Sequence, residues 1–144
     1  MGSKEFSSIL RAFAALLRYP VKGRAAASRL LGPLRNHVGV AAASQRLERF
    51  EQCIATLTDN ELEELYTRTF DINPAVTLDI GYHLFGLAYK RGDFLVRMQQ
   101  ALREHGIDQR GELADHLPLL LELAATLPLL ESRTLIEECL VLPV

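Results

Sequence analysis

The chain has 144 residues, of which 49% are hydrophobic and 24% charged, and a net charge of −2; this is the balance of an ordinary globular protein. About 70% of the unfolded surface can be buried at such a length, so one domain spanning residues 1–144 is expected to build its own core without disulfide or metal staples. No apolar run reaches the ~20 residues of a membrane span, and Met1-Gly-Ser-Lys-Glu-Phe6 lacks the apolar stretch and cleavage site of a signal peptide. A cytoplasmic protein without stable membrane insertion is expected, with residues 1–4 disordered or vector-derived. Two unpaired cysteines, Cys53 and Cys139, fit a reducing compartment.

The elements follow in chain order. Phe6, Ile9, Leu10, Phe13, Leu16 and Leu17 make the apolar stripe of an amphipathic helix over 4–19, stopped by Pro20. Residues 22–38 are rich in Ala and Arg and read as helix, with a break or kink expected at Gly32-Pro33. A third helix covers 41–57. Thr58 and Glu61 have capping-box spacing for a helix from 59 to about 69. Asp59, Glu61, Glu63 and Glu64 lie in its first turns, where the helix dipole favours negative charge. Asp71-Ile-Asn-Pro74 reads as a turn, followed by a helix over 75–88 with Leu78, Tyr82 and Phe85 on one face. Asp93 is expected to cap a helix over 94–105 that buries Phe94, Leu95, Met98 and Leu102, and Gly106 to close it. After a loop over 107–114, a helix opens at Asp115–Pro118, runs to Leu127 and is interrupted by Pro128. Ser132 is then expected to cap a last helix over 133–142. No strand alternation or repeat is present, so the fold class is an all-α bundle of about seven helices.

Charge is unevenly placed along the chain. Residues 1–52 carry nine Lys/Arg against three Asp/Glu, and residues 53–144 carry seven against fifteen. The basic half could serve nucleic acid or an anionic surface, and the acidic half could receive a basic peptide. The plainer reading is that of solvated helix faces attracting each other within one fold.

Catalysis lacks its usual residues. There is no phosphate-binding glycine loop, no nucleophile elbow and no HExxH. His37, His83, His105 and His116 make no i, i+3 or i, i+4 pair among themselves, so a metal site would need a tertiary coincidence. Asp79 and His83 are four apart and could pair for acid–base work, but no partner nucleophile accompanies them. At Asp115-His116 the aspartate sits where a helix N-cap belongs, with the histidine turned to water; the alternative is a polar pair at the lip of a groove. Tyr66, Phe70, Tyr82, Phe85 and Tyr89 recur at helical intervals, usually a core signature. Gly81 and Gly86 beside them each cost a helix about 1 kcal/mol, which makes sense where another chain or helix comes close.

An ordered set of motifs carries a resemblance. Leu65-Tyr-Thr-Arg-Thr-Phe-Asp71, Pro74, Gly81-Tyr-His-Leu-Phe-Gly86, Tyr89-Lys-Arg-Gly92 and Glu112-Leu-Ala-Asp-His-Leu-Pro118, with Leu17-Arg-Tyr-Pro20 closing the first helix, resemble the NarJ branch of the NarJ/TorD redox-enzyme maturation chaperones. The resemblance implies an all-helical cytoplasmic chaperone, not an enzyme, with no cofactor of its own. It implies binding of the N-terminal peptide of a molybdoenzyme catalytic subunit, a twin-arginine signal or its remnant. It also implies support of molybdenum-cofactor insertion and assembly, with respiratory nitrate reductase or a relative as client. Molybdenum-cofactor delivery proteins are implied as further partners, nucleic acid is not, and the implied state is a monomer or helix-swapped dimer. By position, the acidic-histidine motif of these chaperones falls on Glu112, Asp115 and His116. The peptide groove falls on Tyr66, Phe70, Asp71, Tyr82, Phe85 and Gly86, with Arg91 and Gly92 in the turn that follows. The chain departs from the pattern in two places: Ala114 stands where a proline usually precedes Asp-His, and the chain ends at Val144 where a further tail is usual.

Overall fold

The computed structural model describes residues 2–37 and 39–141. Met1 and the expected helix ends at Val38 and Leu142 lie outside the described residues. The all-α expectation holds. The described residues form eight α-helices: α1 (Ser3–Leu16), α2 (Gly23–His37), α3 (Ala41–Ala55), α4 (Asp59–Tyr66), α5 (Ile80–Phe85), α6 (Lys90–Glu104), α7 (Leu117–Thr126) and α8 (Leu129–Leu135). A single bridge, Asp79 with His116, is the only β-type pairing among them. The chain groups into two compact units, Ala15–Thr77 and a second made of Met1–Ala14 with Leu78–Val144.

The unit Ala15–Thr77 is built on α2, α3 and α4. Leu31, Ile54 and Leu62 form its core, with Leu16, Ala27, Leu47 and Leu57 packed against them. The capping box forms as expected: the Glu61 N–H donates to Thr58 Oγ1 at 3.2 Å, and the Thr58 N–H to Glu61 Oε2 at 2.7 Å. Asp59 does more than favour its own helix. Its carboxylate accepts the Arg24 N–H at 2.8 Å and so caps α2 from a distance. Gly23, at φ +78°, permits this approach, because a Cβ there would lie 2.8 Å from the Asp59 carboxylate. The Arg24 guanidinium meanwhile takes up the Ala55 and Leu57 carbonyls at the end of α3.

Two expectations for this unit are corrected. α2 runs through Gly32-Pro33 without a break. Pro33 removes one helical hydrogen bond, but Leu31 and Leu34 on either side are 0% and 1% exposed, and their burial, roughly 1.5–3 kcal/mol each, holds the helix together. The helix expected over 75–88 is also absent from its first residues: Pro74–Val76 form only a 3-10 turn, with Asn73 accepting the Ala75 N–H. α4 ends at Tyr66 and widens into a π-helical turn over Thr67–Asp71.

In the second unit, α7 is the central helix. Seven of its ten residues are buried, as befits a helix apolar on nearly every side. Leu119 and Leu123 join Leu102 and Ala114 in the core, and Leu95, Met98, Ala101, Ile107, Leu127 and Leu135 pack around them. Gly106, at φ +67°, closes α6, and the Ile107 N–H returns to the Leu102 carbonyl at 2.9 Å.

Two helix starts move, and one stretch changes its helical form. α6 begins at Lys90, so Asp93 lies in its first turn instead of capping it. α8 begins directly after Pro128, which places Ser132 inside the helix, 1% exposed; the Pro128 carbonyl accepts its N–H at 2.9 Å. The last helical stretch, Ile136–Val141, is π-helical. Cys139 is half-buried there, and burial, with Glu138 nearby, raises its thiol pKa. Cys53, on α3, is exposed.

Candidate functional site

The polar centre of the second unit arises where two short extended segments meet. Leu78–Gly81 and Asp115–Leu117 run antiparallel: the Ile80 N–H donates to the Asp115 carbonyl at 2.9 Å, and the Leu117 N–H to the Leu78 carbonyl at 2.8 Å. This pairing requires extended backbone at Leu78 and Asp79, which is why the helix expected from 75 starts only at Ile80.

Asp115 occupies the middle of the arrangement at 0% exposure. Its Oδ2 accepts the Gly81 N–H at 3.0 Å and the Arg91 Nε at 3.1 Å, with Arg91 Nη2 also at 3.1 Å. The helix it caps is therefore α5, not α7. α7 has His116 at its N-cap without a side-chain capping bond, and α5 has no cap from its own Asp79. A Cβ at position 81 would lie 2.5 Å from Asp115 Oδ2 and 3.1 Å from the Phe94 ring. Glycine is thus demanded by the close approach of the carboxylate. Burial raises the Asp115 pKa; the Arg91 guanidinium pulls it back and the Asp79 charge pushes it further up.

The outer side of the cluster is acidic. His116, 8% exposed and therefore not turned to water, has Nδ1 at 3.4 Å from Asp79 Oδ1 and 4.0 Å from Glu112 Oε2. Arg91 Nη2 lies 3.9 Å from Asp79 Oδ2. The Asp79 side chain is 32% exposed and that of Glu112 51%. The result is one largely enclosed guanidinium and an imidazole beneath two accessible carboxylates, an arrangement suited to receiving a cationic group from solvent. Among the described residues, no cluster of His, Cys, Asp and Glu is placed to hold a metal ion, and no helix is long and apolar enough to cross a membrane.

The remaining site residues fall into smaller groups. Phe85 packs its ring on Phe94 with centroids 5.7 Å apart, and Tyr82 sets its ring edge-on to His83 at 6.0 Å. Gly86 ends α5 at φ 60° and ψ −133°, a conformation reserved for glycine; nothing lies within 4 Å of a Cβ there, so its need is conformational and not one of space. Nothing in the structure explains a glycine at 92. Tyr66, Phe70 and Asp71 belong to the other unit. The Tyr66 hydroxyl donates to the Leu17 carbonyl at 3.0 Å, and its ring lies between Tyr19 and Phe70, at 5.3 and 5.0 Å. Asp71 is exposed at the end of the π-helical turn.

Of the clustered residues, the sequence reading pairs Asp79 only with His83, and takes Gly81 as a costly helix residue where another chain or helix comes close. The expense of a glycine beside aromatics was the available signal for Gly81; its partner, 34 residues away, left none.

Residues 37–140 match the model of the nitrate reductase delta subunit family, well over half of the chain. The chain belongs to this family. Among its relatives, the chain is 28% identical over 141 residues to the probable nitrate reductase molybdenum cofactor assembly chaperone NarJ of Bacillus subtilis (strain 168), covering 97% of the chain and 77% of that protein. It is 32% identical over 84 residues to the nitrate reductase molybdenum cofactor assembly chaperone NarJ of Escherichia coli (strain K12), covering 58% of the chain and 36% of that protein. Both relatives are named as assembly chaperones and not as enzymes, and the resemblance read from the motifs is borne out. The whole acidic cluster of the chain, Asp79 to His116, lies inside the matched segment.

Proposed function

We propose that this chain is a maturation chaperone that binds the N-terminal peptide of a molybdoenzyme catalytic subunit, a nitrate reductase or a relative, in the cytoplasm. On this reading it holds the subunit ready for molybdenum-cofactor insertion and acts by binding alone, as a monomer or helix-swapped dimer. The family match and the names of the relatives support the chaperone role. The observation that carries peptide binding is the accessible carboxylate pair, Asp79 and Glu112, above buried Asp115 and His116. A guanidinium from a twin-arginine-type peptide meets opposite charge there, and the aromatic side chains Tyr82 and Phe85 of α5 offer apolar anchorage. Gly86, Arg91 and Gly92 complete the proposed peptide-binding set of this unit, Arg91 by holding Asp115 in place; Tyr66, Phe70 and Asp71 are proposed as peptide contacts of the unit Ala15–Thr77 taken by itself.

Calorimetric titration with such a peptide tests this reading. Asp115 is too deeply built into the fold to serve as a probe, so the rim is altered instead. The double variant Asp79→Asn/Glu112→Gln is expected to weaken binding about three- to tenfold, as for partly exposed ion pairs, and Phe85→Ala to weaken it by at least as much. Unchanged affinity in both variants would remove the site from consideration.

A further inference from the structure

A second feature of the same unit shares Phe85 with the proposed peptide-binding set and is opposite in charge to the acidic rim. A half-open cavity of about 280 Å³ is lined by Phe85 at the end of α5 and by Lys90, Asp93, Phe94 and Arg97 of α6. Its apolar surface is the tilted Phe85–Phe94 pair. Lys90, Phe94 and Arg97 are spaced i, i+4, i+7 and share one face of α6, so an exposed cation stands one turn to either side of the Phe94 ring. Asp93 is the single acid in the lining, which leaves an excess of positive charge. The turn at Gly86 leads into Leu87 and Tyr89, exposed at 90% and 91%.

The charge selects the occupant. An apolar side chain fits the phenylalanine floor, but one flanked by arginine or lysine would bring cations against Lys90 and Arg97, whereas one flanked by a carboxylate brings attraction. We propose that this cavity is an anchor subsite for a peptide segment that carries a large apolar side chain with Asp or Glu within one helical turn of it. The proposal rests on the reading of this unit as a peptide binder and adds a requirement of opposite sign to that of the Asp79–Glu112 rim. The bound segment must be basic at one place and acidic at another, so a peptide that is only basic engages half of the site.

Fluorescence anisotropy with three labelled helical peptides tests it. The peptides are identical except that a central Phe is flanked by Glu, Gln or Lys; a twin-arginine N-terminal peptide is titrated in parallel. The native protein is expected to prefer the Glu peptide over the Lys peptide about tenfold, as two partly exposed charge pairs allow. The preference should shrink in high salt and reverse in Lys90→Glu/Arg97→Glu, whose substitutions are both on exposed side chains. Equal affinity for the three peptides, or an unaltered order in the double variant, overturns the subsite while leaving twin-arginine binding intact. Loss of twin-arginine binding with the Glu preference retained overturns the proposed client and keeps the subsite. Failure to bind any of the four peptides overturns both.

Discussion

Asp115 combines two roles that a sequence motif shows as one: it stands beside a helix start, and it caps a helix to which it does not belong. The local pattern Asp-His-Leu-Pro points to capping of α7, and capping is what the carboxylate does. Its acceptor, however, serves the Gly81 N–H of α5 and the Arg91 guanidinium. Since burial raises its pKa above the ordinary value of 3.8, the folded chain retains this proton to higher pH than the unfolded chain does. The folded state therefore binds more protons than the unfolded state in that window, and stability falls as pH rises from 3.8 through the folded value. Asp115→Asn is expected to remove this segment of the pH dependence, so that the difference in urea midpoint between native protein and variant changes with pH only there. A constant difference across the window would show that the carboxylate is already ionised throughout. The motif made the chemistry of Asp115 legible. Its target was not, because a hydrogen bond spanning 34 residues leaves no periodic trace near either partner.

Among the elements, sequence signals worked best where the cause was local. The Thr58–Glu61 box, the stop at Gly106 and the break at Pro128 depend on residues within one turn of each other, and each appears where the sequence places it. α2 and α5 went the other way. Gly32-Pro33 should end a helix taken by itself, yet α2 is fastened on both sides by Leu31 and Leu34 and continues. Pro33 is exposed, so its cost is not repaid by any packing of its own ring. Pro33→Ala should therefore stabilise the protein, by about 1–3 kcal/mol, after the lost stiffness of the unfolded chain is set against the restored hydrogen bond. A raised midpoint in thermal unfolding would bear this out; a lowered one would mean that the proline stabilises α2. α5 is shorter than its pattern because Leu78 and Asp79 are committed to pairing with Asp115–Leu117. A short backbone pairing thus outweighs helical propensity where it also satisfies a buried carboxylate.

At the scale of the whole molecule, charge and burial are redistributed relative to the linear chain. The strong split between a basic first third and an acidic remainder does not survive in the two compact units. Residues 15–77 carry eight basic and seven acidic side chains, and the unit completed by residues 78–144 carries eight and eleven. Arg35 pairs with Glu51 at 2.6 Å, and Arg24 is occupied by helix-end carbonyls. The basic segment is thus partly occupied by partners within its own unit. Burial is concentrated in α7, so its backbone amides should exchange with deuterium more slowly than those of α2 or α3. Mass spectrometry of exchanged peptides would show this directly, and faster exchange in α7 than in α3 would contradict the assignment of the core.

The sequence by itself determined the helical class, most of the helix boundaries and the family, because apolar periodicity, caps and prolines act over three or four neighbouring residues and the motifs keep their order along the chain. Only the tertiary structure decided that Asp115 caps α5, that Gly81 must be glycine to admit it, and that Asp79 stands with Glu112 over His116. Each of these depends on segments far apart in the chain meeting at a few ångströms, where desolvation and charge give a contact its energy and sequence spacing carries no record of it.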